Sequence, residues 1–172
     1  MEHALRSGFP VPRVLDVRDD ALVLERIEGP TMLAWMRRRP WRIASGAGLL
    51  AELHARLHRI PFENEQLVHL DLHPDNVLLS PGGPVVIDWT NARAGAPSFD
   101  LAVTWVICAT SGGFGGRAFV HFFLRHVDRT EARRALPDAV AFRIADPSVT
   151  DEERLRARRL LQHAEGGSKW KR

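Results

Sequence analysis

An α+β fold follows from three features of the sequence. Strand-like runs of β-branched residues and leucine, broken by Gly, Pro and Asp, are confined to the part before Ser98. From about Ser98 onward, helical spacing dominates. The length of 172 residues suits one domain, and a composition of 45% hydrophobic and 26% charged residues suits a packed core, excluding a disordered or collagen-like chain.

The elements can be justified in order. Residues 2–7 read as the end of a helix closed by Gly8, and Pro10 and Pro12 then impose extended backbone. Val14–Val17 and Ala21–Glu25, separated by Arg18-Asp19-Asp20, read as a hairpin. Gly29-Pro30 breaks the pattern, and Thr31 caps a short helix running through Arg38. Trp41–Ile60 reads as a longer helix with Leu49, Leu53, Leu57 and Ile60 on one face. Short strands are expected around Leu67-Val68, Val77–Leu79 and Val85–Ile87, the last two joined by the turn Ser80–Pro84. In the helical remainder, Ser111–Ala118 reads as a flexible glycine-rich loop. Thr150-Asp151-Glu152-Glu153 is a capping box opening a last helix to about Ala164, with Leu155, Leu160 and Leu161 as core contacts.

Charge and cysteine content narrow the function classes. Residues 1–111 carry 11 Lys+Arg against 13 Asp+Glu, and residues 112–172 carry 13 against 8, so the whole basic excess is C-terminal. Arg37–Arg39 and Arg154–Arg159 lack interleaved aromatics and read as solvated helix faces, so no nucleic-acid partner is expected. The single Cys108 reads as a reduced, buried thiol of a cytoplasmic protein. The longest apolar run, Leu101–Thr110, falls well short of the roughly 20 residues of a membrane span, and no signal peptide is expected. Trp35, Trp41, Trp89 and Trp105 read as core or groove residues.

The chemistry is concentrated in His69-Leu70-Asp71-Leu72-His73-Pro74-Asp75-Asn76, followed after a hairpin by Ile87-Asp88-Trp89. Asp71 and Asn76 lie on one loop between strands, and a hairpin carries Asp88 back towards them. Two carboxylates and an amide oxygen are hard ligands suited to Mg²⁺, and a carboxylate left free of metal can take a proton from a hydroxyl. Singly, each of these residues is also an ordinary turn or cap former. A zinc site at His69 and His73 is disfavoured because Pro74 breaks the helix that such spacing needs. His54 and His58, without a third ligand in sequence, read as solvated or locally hydrogen-bonded.

The pattern H-x-D-x-H-x-x-N at His69–Asn76, then I-D-W at 87–89 and Asp100-Leu101-Ala102 further on, resembles the protein-kinase-like fold. Within that fold it resembles the aminoglycoside phosphotransferase and choline kinase branch of small-molecule kinases. Gly8–Pro12 and the Leu24–Ile27 connector are similar to the same family. The resemblance implies a partial N-terminal lobe with hinge at residues 1–28, a mainly helical C-terminal lobe at 29–165, and a polar tail at 166–172. It implies Asp71 as catalytic base towards a small-molecule hydroxyl, with Asn76 and Asp88 holding Mg²⁺ on the phosphates of ATP. His69 would brace the loop, Asp100 would anchor its backbone, and His73 would lie near the transferred phosphate. Glu25, Arg26 and Ile27 would form a hinge meeting adenine through backbone groups. The chain departs from the family in lacking the glycine-rich phosphate loop and the phosphate-binding lysine, its only lysines being Lys169 and Lys171. It therefore resembles an N-terminally truncated member with reduced activity. The rival readings are an inactive kinase-fold remnant serving as a weak nucleotide-binding or interaction module, and a metal-dependent phosphohydrolase using the same acidic cluster. An incomplete N-terminal sheet implies self-association. A C-terminal part of net positive charge favours a neutral or anionic acceptor over a polycationic one.

Overall fold

The computed structural model describes residues 1–19, 21–111 and 113–166. Helix α1 (Glu2–Arg6) ends at Gly8, whose φ of +74° is a conformation glycine adopts without a Cβ penalty. Strands β1 (Val14–Arg18) and β2 (Ala21–Leu24) then form an antiparallel hairpin with Val17 opposite Leu22. Thr31 caps α2 (Met32–Arg38) by accepting a hydrogen bond from Ala34 N, and Met32 and Met36 are buried. The expected helix from Trp41 is shorter than the sequence pattern: Pro40–Arg42 form a single 3-10 turn, and α3 spans Ile43–Leu57. Trp41 is 74% exposed rather than in a core or groove, because it sits on that turn. The inward face of α3 comprises Gly46, Ala47, Leu50, Leu53, His54 and Leu57, whereas Leu49 is only half-buried.

Strand β3 (Pro61–Phe62) pairs with β4 (Glu65–Val68), which pairs on its other side with β7 (Arg93–Gly95). Sequence reading missed β7, because three residues with no hydrophobic alternation carry no strand signal of their own. Between them, β5 (Val77–Ser80) and β6 (Gly83–Val86) make the expected hairpin. This hairpin is stitched to the N-terminal segment at two points, where Pro10 O accepts from Val86 N at 2.8 Å and Pro30 O from Leu79 N at 2.9 Å.

Helix α4 (Pro97–Ser111) runs through the middle of the helical part and is buried nearly all round, matching its lack of a polar face. Around it pack α5 (Gly113–Phe123), α6 (Arg129–Arg134), α7 (Leu136–Ala145) and α8 (Asp151–Gly166), with α3 lying against α5. The expected loop at Ser111–Ala118 is therefore a helix from Gly113 on. A Cβ on Gly116 would stand 2.2 Å from Cys108 O, so glycine is there to let α4 and α5 approach closely. The capping box holds: Thr150 Oγ1 accepts from Glu153 N and Glu153 Oε2 accepts from Thr150 N. On α8 it is Ala157 that is buried, with Leu160 and Leu161 packing partly against the core and Leu155 46% exposed, so Leu155 is not a core contact. Residues 167–172 of the expected tail lie outside the described residues. Among those described, no helix is long and apolar enough to cross a membrane.

Candidate active site

The loop from His69 to Asn76 leaves β4 and runs into a 3-10 turn, Pro74–Asn76, before β5. Its path needs unusual backbone: Leu70 has φ +60° and Asp88, just past β6, has φ +59°. Such conformations in non-glycine residues persist only where surrounding contacts over-determine them. Those contacts come from two helices.

On α4, Asp100 and Thr104 are one turn apart and face the loop. Asp100 Oδ1 accepts from Leu70 N at 2.7 Å and Oδ2 from His69 N at 3.2 Å, while Thr104 Oγ1 donates to Leu72 O at 2.8 Å. Asp100 thus holds the backbone at the start of the loop. On α3, His54 and His58, also one turn apart, support that pair from behind. His58 Nε2 lies 2.9 Å from Asp100 Oδ2, and His54 Nε2 lies 3.0 Å from Thr104 Oγ1. Because the Thr104 hydroxyl gives its proton to the Leu72 carbonyl, it accepts from His54 Nε2–H. The two histidines are therefore neither solvated nor locally bonded. Ligand atoms of His54, His58 and Asp100 all lie within 4.8 Å of one another, and their hydrogen bonds identify them as a clamp on the loop. The sequence signal was available as an i, i+4 histidine pair on a helix, but its partners stand more than 40 residues away.

Burial alone would raise the Asp100 carboxyl. The charges and hydrogen bonds of His54 and His58 outweigh it and hold the group well below the usual carboxylate range. Burial pushes the other way on His69, to about 4, so its ring is neutral near pH 7. His69 Nε2 donates to Ile87 O at 3.2 Å, and its ring meets Trp89 edge-on at 4.8 Å. Trp89 is held in turn by its Nε1–H to Val86 O at 3.0 Å and by Phe9.

Ile87 is where the two arms of the site join. Its N–H donates to Asn76 O at 3.0 Å while its carbonyl receives His69, so Asp88 is fixed one residue beyond a backbone contact with Asn76. Asn76 Nδ2 donates to Asp71 Oδ2 at 3.0 Å and to Asp71 O at 2.9 Å. His73 Nε2 stands 3.7 Å from Asp71 Oδ1, and its Nδ1 accepts from Asp75 N. Asp88 is exposed, with Oδ1 accepting from Thr90 Oγ1 at 2.9 Å. Burial raises the Asp71 carboxyl above its ordinary range, with the negative charge of Asp88 adding to it and His73 and Arg143 opposing. Burial likewise lowers His73.

Asp71, His73, Asn76 and Asp88 therefore share one neighbourhood, with His69 and Asp100 behind it. Along the connector, Glu25 N–H donates to Arg13 O at 2.8 Å, its carboxylate accepts from the Arg13 guanidinium at 3.1 Å, and Arg26 and Ile27 follow outside any strand. Arg143, on α7, was missed by sequence reading. Its positive charge opposes the raising of Asp71 by burial and adds to the lowering of His73, and nothing local in the sequence of α7 marks it.

Comparison with known proteins bears on the fold and the family. One curated relative, a probable serine/threonine-protein kinase BUD32 homolog of Archaeoglobus fulgidus, is 36% identical over 77 residues; these are 45% of this chain, which spans about a third (34%) of that protein's length. A thermostable mutant of aminoglycoside phosphotransferase APH(4)-Ia superposes with a TM-score of 0.73 at 13% identity, covering 98% of this chain and 82% of that one. A ternary complex of another thermostable mutant (N203A) of that protein with AMP-PNP and hygromycin B gives 0.66 at 14%, covering 95% and 79%. These superpositions establish the kinase-like fold. Residues 49–137, which hold the whole loop, the Asp88 arm and the clamping residues His54, His58, Asp100 and Thr104, match the model of the phosphotransferase enzyme family, and the chain belongs to that family.

Proposed function

We propose that this chain moves the terminal phosphoryl group of ATP to the hydroxyl of a small molecule. The hydroxyl oxygen bonds to the γ-phosphorus as the bond from that phosphorus to the β,γ-bridging oxygen breaks. Asp71 takes the hydroxyl proton and ADP departs. The observation that carries this reading is the double use of Ile87, which sets Asp88 beside Asn76 while Asn76 orients the Asp71 carboxylate.

A raised Asp71 suits a base, since a carboxylate of ordinary acidity accepts a proton less readily. The donor set fits magnesium: the Asn76 amide uses its NH₂ on Asp71, which leaves its oxygen as one hard ligand, and the Asp88 carboxylate supplies another. Magnesium bound there neutralises phosphate charge. His69 and Asp100 keep the loop rigid, and His73, neutral near pH 7, presents a polar ring beside Asp71. Arg26 and Ile27 supply the hinge backbone for adenine, with Glu25 committed to Arg13. Residues 1–168 contain no lysine, so within these residues the cations that can meet phosphate charge are the metal and arginine.

Isothermal calorimetry of ATP with and without Mg²⁺, using Asp88→Ala as control, tests the reading. Mg²⁺-dependent binding that Asp88→Ala abolishes is the expected outcome. Binding indifferent to both Mg²⁺ and Asp88 leaves an interaction module in its place.

A further inference from the structure

Beside the loop lies a cavity of about 530 Å³, within the size range of small-molecule sites. Its walls are mostly apolar, drawn from Leu33 and Met36 of α2, Ile43 of α3, Ile107 and Cys108 of α4, and Phe119 of α5. His73, Pro74 and Asp75 of the loop close one side, so the cavity is one side chain away from Asp71. Its charged lining is unequal: Arg37 and Arg143 against the single carboxylate of Asp75, with His73 lowered by burial towards its neutral form.

Arg143 is the better placed of the two guanidiniums. Its side chain is only 17% exposed and is held by Asp146 through Nη1 at 3.2 Å, which leaves Nη2 without a hydrogen-bond partner among the described residues. Arg37 is exposed at the rim. A half-buried guanidinium with a spare donor, in an apolar cavity, recognises a carboxylate by charge-assisted hydrogen bonding and rejects a cation by like-charge repulsion.

We infer that the acceptor is an apolar hydroxy acid: a hydroxyl offered to Asp71, a hydrocarbon or aromatic body filling the cavity, and one carboxylate directed to Arg143 with Arg37 reinforcing it. One net positive charge in the lining complements a monoanion. A polycationic amino sugar finds neither a matching charge nor polar walls. The inference rests on the phosphotransferase reading of Asp71, because that reading makes this cavity the acceptor's place.

The test is a charge ladder of one body size, titrated calorimetrically into the full chain: ω-hydroxyoctanoate, octane-α,ω-diol and ω-aminooctanol, with kanamycin as the polycation. The hydroxy acid is expected to bind at least about tenfold more tightly than the amino alcohol, with the diol between them and kanamycin undetected. Arg143→Met is expected to level the ladder and Arg37→Glu to flatten it partly. The second variant, at an exposed position, answers the question if the first does not fold. Equal or tighter binding of the amino alcohol or kanamycin overturns the assignment, as does a wild-type ladder without charge preference. Phosphate transfer from ATP to each compound separates the two levels. Charge-selective binding of the acid with no transfer removes the phosphotransferase reading but upholds the acidic-ligand cavity. Preferential transfer to the amino alcohol removes the hydroxy acid and keeps the chemistry.

Discussion

Thr104 shows how one hydroxyl links two layers. It gives its proton to Leu72 O and receives that of His54, both in the buried interior. Thr104→Val keeps the shape and leaves a carbonyl and an imidazole N–H without partners, so a loss of about 1–3 kcal/mol is expected in denaturant unfolding. An unchanged midpoint would mean that water replaces the hydroxyl. His69 sets the acid limit of stability. Its pKa of about 4 in the folded protein is below the ordinary 6.5, so below pH 6.5 the unfolded chain binds a proton that the folded one refuses. Stability is therefore full above about pH 6.5 and falls as pH drops towards 4, by about 3 kcal/mol from this residue. The depressed Asp100 carboxyl acts in the same direction at still lower pH. Thermal melts between pH 7 and 4 check this, and a flat profile would place His69 in water. The patterns at His69–Asn76 and Asp100–Ala102 drew attention to His69, Asp71, Asn76 and Asp100 because each lies within a short motif. Arg143, His54 and Thr104 were not, because each acquires meaning only from a partner distant in sequence.

Elements differ in how far their sequences announce them. The β5–β6 hairpin and the capped helices α2 and α8 are written locally, in a turn, a threonine cap and a capping box. By contrast, Ser111–Ala118 misleads, since glycines that suggest a loop serve helix packing. The Cβ of Gly116→Ala would meet the backbone carbonyl of Cys108, which has no side chain to swing away. A loss of about 1–3 kcal/mol is expected from this one methyl group, measured by chemical unfolding. A neutral or stabilising effect, as helix propensity alone predicts, would show that α4 and α5 are less closely packed.

At the scale of the molecule, the two ends of the chain present different surfaces. The helical part encloses α4 nearly all round, whereas the β1–β2 hairpin exposes Leu15, Val17 and Leu22, each more than half accessible, together with Leu24. Val17 faces Leu22 across the ladder and Leu24 lies two residues on from Leu22, so these form one apolar face, with Leu15 at the bulge beside them. Such a face on a two-stranded sheet invites pairing with a second copy. Light scattering is expected to show concentration-dependent association that Val17→Lys with Leu22→Lys abolishes. A monodisperse monomer at high concentration would rule it out.

The sequence by itself determined the β5–β6 hairpin, the capped helices, the loop between His69 and Asn76 and the aspartates in and after it, because these depend on caps, turns and contiguous motifs acting over a few residues. Only the tertiary structure decided that His54, His58 and Thr104 clamp that loop, that glycines near residue 115 are helical, and that an arginine from α7 lines an apolar cavity beside it. The reason is physical. Burial and partnership are properties of the packed interior, where a histidine, a glycine or an arginine takes its role from atoms many tens of residues away along the chain.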